Sequence, residues 1–147
     1  MGIGEDEKTK EMLEIIKSYD IYKSKYFDII RKINGSKWLN YYSISVVNFN
    51  NENTEFKLMI VGEIVRFEYS MEPRTSDKFE CGRIKASIYD KVTEKFIFLF
   101  DIYFDLEEVC KTKRRDKRLC DIENEKLDYY FLNFFVAEVL KHKGFMK

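Results

Sequence analysis

The stretch FECGRIKASIYDKVTEKFIFLFDIYFD, residues 79–105, decides the fold, because two apolar-rich runs flank a short polar break that reads as the turn of a β-hairpin. Over residues 96–105 the even positions are Phe, Phe, Phe, Ile and Phe, and the odd ones are Ile, Leu, Asp, Tyr and Asp. A two-residue period built from β-formers reads as a strand with one wholly apolar face. Before the break, Ile84, Ala86 and Ile88 alternate with Arg83, Lys85, Ser87 and Tyr89. A one-residue slip between the two runs would flip every side chain to the other face. An odd-length loop within residues 90–95 sets the three aliphatics on the phenylalanine face and brings Arg83 or Lys85 opposite Asp101. An even loop would set Ile84 against Asp101 and Lys85 against Phe100. Opposite charges across a strand pair contribute roughly 0.2–1 kcal/mol, so the odd loop is expected.

Working outward, residues 5–33 read as a helix. Met12, Ile16, Tyr19, Tyr26, Ile30 and Ile33 follow a 4-3-7-4-3 spacing that draws one stripe towards a core. Glu5, Asp6 and Glu7 suit the positive N-terminal end of its dipole, and Asn34-Gly35 supplies a stop. Residues 38–49 and 56–69 read as strands, the second apolar on both faces through Leu58-Met59-Ile60-Val61, with Gly62 marking a bulge. Residues 106–120 read as a polar connection, and Asp121 as the cap of a last helix over residues 122–143. The expected fold class is α+β, a four-stranded antiparallel β-meander flanked by an N-terminal and a C-terminal α-helix, in one compact domain over residues 1–147.

The last helix has no continuous polar face. Asp128, Asn133 and Glu138 interrupt an apolar surface at wide angles, which predicts burial on most sides or cover by a second copy. Self-association as a homodimer, or docking of a protein partner, is therefore expected through a face formed by Tyr129, Phe131, Leu132, Phe135, Val136 and Val139, to which the stripe of the first helix could add, since large contiguous apolar patches are uncommon on monomers.

Composition narrows the chemistry. Lys plus Arg and Asp plus Glu number 26 each among 147 residues, so no global field draws in nucleic acid or an anionic membrane. No apolar run reaches the roughly 20 residues that span a bilayer, and no secretory leader is recognisable. A cytoplasmic location is expected. Cys81, Cys110 and Cys120 lack the close spacing of zinc or redox motifs and read as reduced structural thiols. The one histidine, His142, sits near the end between two lysines, which leaves Ser-His-Asp, Cys-His and multi-histidine schemes without a base or ligands. No Gly-rich phosphate loop is present. Glu55-Phe56-Lys57 has a nuclease-like Glu-x-Lys, but no aspartate precedes it closer than Asp28. Asp101, Asp105, Glu107 and Glu108 are oxygen donors of the kind hard cations take, yet pairing of Asp101 with Arg83 or Lys85 is the simpler account. No catalytic residue, metal site or cofactor is expected.

The strongest local charge signal is the loop with Lys111, Lys113, Arg114, Arg115, Lys117 and Arg118, six basic residues in eight. It could grip phosphates or an acidic protein surface, although no aromatic inside it would stack a base. The expected function is a non-catalytic protein–protein interaction module of the inhibitor, immunity or adaptor type, with a phage or mobile element in view as its source. The alternative is nucleic-acid binding through the basic loop.

Overall fold

The computed structural model describes residues 3–49, 55–73, 80–111 and 117–147. Helix α1 (Ile3–Asn34) leads into a short helix α2 (Trp38–Tyr41). Seven strands follow: β1 (Ser45–Phe49), β2 (Glu55–Ile60), β3 (Glu63–Glu72), β4 (Cys81–Asp90), β5 (Lys95–Phe104), β6 (Glu108–Cys110) and β7 (Arg118–Asp121). Helix α3 (Leu127–His142) comes last. The strands form one antiparallel sheet in the order β1-β2-β3-β4-β5-β6-β7, each paired with its neighbour in sequence. The class is α+β with a helix at each end, but the sheet has seven strands where four were expected.

Three local causes account for the difference. Residues 56–69 break into β2 and β3 at Val61-Gly62, whose φ values of 51° and 79° are those of a primed two-residue hairpin turn. Gly62 therefore turns the chain rather than bulging it, and Val61 hides the signal because a β-branched residue rarely adopts positive φ. The connection over residues 106–120 holds two short strands, β6 and β7. Residues 38–41 form α2 rather than strand, so β1 starts only at Ser45. Asp121 ends β7 instead of capping α3.

The central hairpin reaches the expected register by another route. Asp90 pairs with Lys95 across four residues, an even loop. Ser87 then lies opposite Phe98 and Ala86 opposite Phe100, so Leu99 is an extra residue, a β-bulge. Beyond it Ile84 faces Ile102 and Lys85 faces Asp101, the pairing that the odd loop was expected to give. On the turn side of the bulge the faces exchange. Phe98 is consequently 57% exposed while Phe100, Ile102 and Phe104 are buried.

Helix α3 and the C-terminal half of α1 cover one face of the sheet. Phe135 lies 4.5 Å from Phe67 and is stacked at 5.4 Å on Phe100, with Phe131 edge-on to it. From α1, Tyr26 stacks on Tyr69 and donates its hydroxyl to the Phe67 carbonyl at 3.3 Å. Gly82 gives the Phe104 ring its seat, since a Cβ there would lie 2.2 Å from a ring carbon. The expected dimer face on α3 is corrected by this packing. Phe131, Leu132, Phe135 and Val139 are buried within the chain, and Tyr129 and Val136 are half-buried.

Two outcomes check this account. Deleting Leu99 should be tolerated, lowering the thermal midpoint by about 5 °C at most, because Ser87–Phe98 and Ala86–Phe100 then follow one another without a bulge and the register on both sides is kept. Inserting one glycine into the turn over residues 91–94 of that deletion variant should lower the midpoint further, since the turn then no longer fits the register. A Leu99 deletion that abolishes cooperative unfolding would refute the bulge. Separately, Phe135→Asp should abolish cooperative unfolding by circular dichroism rather than release folded monomers, because the ring is at the centre of the core.

Candidate interaction site

The residues most unusual on this surface are aromatic. Trp38 and Tyr41 on α2, Tyr42 just after it and Tyr129 in the first turn of α3 line a shallow cavity of about 300 Å³, with Lys126 at its rim. Trp38 lies 4.8 Å from Tyr129 and, edge-on, 5.1 Å from Tyr41, which in turn meets Tyr42 edge-on at 5.1 Å. Tyr41 is 72% exposed. The Lys37 ammonium sits 5.5 Å from the Trp38 ring centre, so a cation already holds that face.

Local chemistry fixes this cluster to the core. A four-residue helix has no stability of its own, and polar groups pin α2 to α3. The Ser36 hydroxyl donates to Asp128 at 2.6 Å and accepts the Trp38 backbone N–H at 3.1 Å. The Tyr42 hydroxyl donates to Asn133 Oδ1 at 2.9 Å. Asp128 and Asn133 are two of the three polar interruptions of α3, so they serve as anchor points for α2. The sequence reading missed this site. Its signal was WLNYY, three aromatics in five residues, which the strand assignment absorbed as alternating faces.

The basic loop is described only at its ends: Lys113, Arg114 and Arg115 lie outside the described residues. Lys111, Lys117 and Arg118 are exposed. The Lys111 ammonium lies 5.1 Å from the Phe134 ring centre, one turn of α3 beyond Tyr130. Arg118 pairs with Asp121 and, at 3.7 Å, with Glu108.

The other candidates are held in structural roles. Arg83 binds Asp101 through two nitrogens, at 2.8 and 3.0 Å, and Glu72 at 3.2 Å. The hydrogen bond to Asp101 raises the Arg83 pKa, outweighing the opposing effect of burial. Asp105 accepts the backbone N–H groups of Glu107 and Glu108. Glu55 and Lys57 pair with each other at 3.1 Å. Among the described residues no group of three or more His, Cys, Asp or Glu side chains converges to hold a cation. His142 is exposed at the rim of an open cavity of about 530 Å³, beside Glu63 and Lys143, which pair with each other at 3.2 Å. The three cysteines are buried thiols. Among the described residues no helix is long and apolar enough to cross a membrane.

No known protein family, curated protein or solved structure matches the chain.

Burial sets the pH response. It pushes the Cys120 thiol up from 9.0 to about 11. Burial and then the Asp101 charge push the Tyr103 phenol up from 10.0 to about 12. A raised folded-state pKa gives stability that is complete below the unfolded value and is lost as pH climbs to the folded one. Urea midpoints should therefore stay level up to about pH 9 as far as these two groups are concerned, and fall between about 9 and 12. Tyr103→Phe should make the fall between about 10 and 12 shallower, and an unchanged slope would contradict the assignment.

Proposed function

We propose that the protein is a non-catalytic protein-interaction module whose contact surface is the α2/α3 aromatic platform. The observation that carries this reading is the grouping of Trp38, Tyr41, Tyr42 and Tyr129 on a surface held in place by the hydrogen bonds of Ser36 and Tyr42 to α3. Tryptophan and tyrosine dominate interface hot spots, because each brings a large apolar area with few rotors and a polar tip. Ser36, Asp128 and Asn133 fix the backbone and Tyr42 in place, so a partner would meet a preformed site and lose little conformational freedom in it. An inhibitor, immunity-type or adaptor role is compatible with such a surface.

A second reading, nucleic-acid binding through residues 111–118, gains one observation. The loop contains no aromatic, but its first lysine lies over Phe134 with Tyr130 a turn away, so cations and rings do meet there. Stacked rings beside phosphate-binding cations are what single-strand binding uses.

Affinity capture from the native host, followed by titration with the purified partner, tests both readings. Trp38→Ala and Tyr41→Ala should each weaken binding by about tenfold or more, the loss that marks a hot-spot residue. Val92→Ala, on the exposed β4–β5 turn, should not. Equal binding by all three variants would sink the platform reading. For the second reading, changing Lys113, Arg114, Arg115 and Arg118 together to Ser should abolish salt-sensitive binding of a labelled single-stranded oligonucleotide. A wild-type chain that binds none at low salt eliminates it.

A further inference from the structure

Helix α1 is 32 residues long, about 48 Å at 1.5 Å per residue, yet only its C-terminal half lies on the sheet. Among the described residues Tyr19 is the first side chain of the helix to pack against the core, and its carbonyl accepts the Tyr69 hydroxyl at 2.9 Å. Residues 6–18 project beyond that contact as an arm of about 20 Å. The arm is apolar where it should be wet. Met12, Leu13, Ile15 and Ile16 are 56%, 57%, 46% and 55% exposed. Met12 and Ile16 continue, with Tyr19, the 4-3 spacing that in the second half of the helix faces the core. The arm thus carries a packing stripe past the end of what its own sheet covers.

Charge identifies the occupant. Residues 6–14 hold four acids, Asp6, Glu7, Glu11 and Glu14, against two lysines, whereas residues 17–25 hold three lysines, Lys17, Lys23 and Lys25, against one aspartate. One end of the segment is acidic and the other basic. A parallel copy would set acid beside acid along its length. An antiparallel copy sets the acidic half of each helix beside the basic half of the other, and the helix dipoles oppose as well. Such a pattern is complementary to itself under a two-fold axis.

We propose that a second copy of this chain covers the arm, the two α1 helices pairing antiparallel about an axis near Ile15. Ile15 then meets Ile15 across the axis, and Glu7 of each copy lies beside Lys23 of the other. An arm of about 20 Å gives a contact smaller than a standard interface, so the dimer is sought at high protein concentration.

Sedimentation equilibrium at high micromolar concentration should give twice the 17.8 kDa chain mass. Ile16→Asp should return the mass to that of one chain with the circular dichroism spectrum unchanged, because the side chain is exposed in the monomer. Direction is read by oxidative cross-linking, for which the native cysteines, 0–6% exposed, do not compete. Ile15→Cys should form a disulfide-linked dimer and Glu7→Cys, far from the axis, should not. A strict monomer at that concentration overturns the proposal, as does cross-linking through both positions, which a parallel pair would give. A dimer that survives Ile16→Asp overturns it too.

Discussion

The register between β4 and β5 is the constraint on which the rest of the structure depends. With Ile84 opposite Ile102 and Ala86 opposite Phe100, the two longest strands of the second half present one apolar surface. Across β4, Ile84 also meets Tyr69 and Ala86 meets Phe67, so the same rows extend into β3. Only then do Phe67 and Phe100 lie close enough for Phe135 to contact both. A slip of one residue would replace this surface with Lys85, Asp101 and Arg83. The bulge at Leu99 reconciles it with the four-residue turn, and the bidentate Arg83–Asp101 pair, in which the Asp101 side chain is 16% exposed, holds it. Charge-assisted pairs of this geometry are stronger and more directional than a single Lys contact.

With its apolar residues taken up by the sheet, α3 can use its polar ones for other elements. An apolar helix interrupted by Asp128 and Asn133 looks frustrated in isolation, but each of those side chains receives a hydrogen bond from the segment that follows α1. The aromatic platform is in that sense a product of the core. Its rings stay at the surface because α2 is too short to bury itself, and its bonds to α3 keep it from rearranging.

What the sequence shows is governed by how local the cause is. The two-residue alternation of β4 and β5 and the N-terminal helix are local and were legible, as was the antiparallel class. The split at Val61-Gly62 was not, because the usual Asn-Gly or Asp-Gly signal is missing and the run is apolar on both sides. Strands β6 and β7, of three and four residues, are too short to show a period. Burial of Phe131, Leu132, Phe135 and Val139 depends on how wide the sheet is, and reading four strands where seven exist left too little surface to cover α3. The platform escaped for a related reason. Its rings gather only once α2 is docked on α3, a contact between residues more than ninety positions apart.

The uncovered face of the sheet explains why a balanced composition of 26 basic and 26 acidic residues leaves no broad charged patch there. Lys57 pairs with Glu55, Arg66 with Glu68, and Arg83 with Asp101 and Glu72. The rows are arranged so that Glu68 faces Lys85 and Lys85 faces Asp101. Phe96, turned to this face by the bulge, is covered by the Arg66 guanidinium at 4.2 Å. The Lys57–Glu55 and Arg66–Glu68 pairs are partly exposed, and pairs of this kind contribute little to stability, typically under about 1 kcal/mol each. Their effect is to give a wide sheet a solvated face on which Lys57, Arg66 and Arg83 each have an acidic neighbour and the Phe96 ring is covered by Arg66. A partner docking there would have to break those pairs to reach exposed Phe98, whereas at the platform and along the first helix several apolar groups stand uncovered together. The same aromatic-rich composition thus yields one largely ion-paired face and two sites where association removes apolar surface from water.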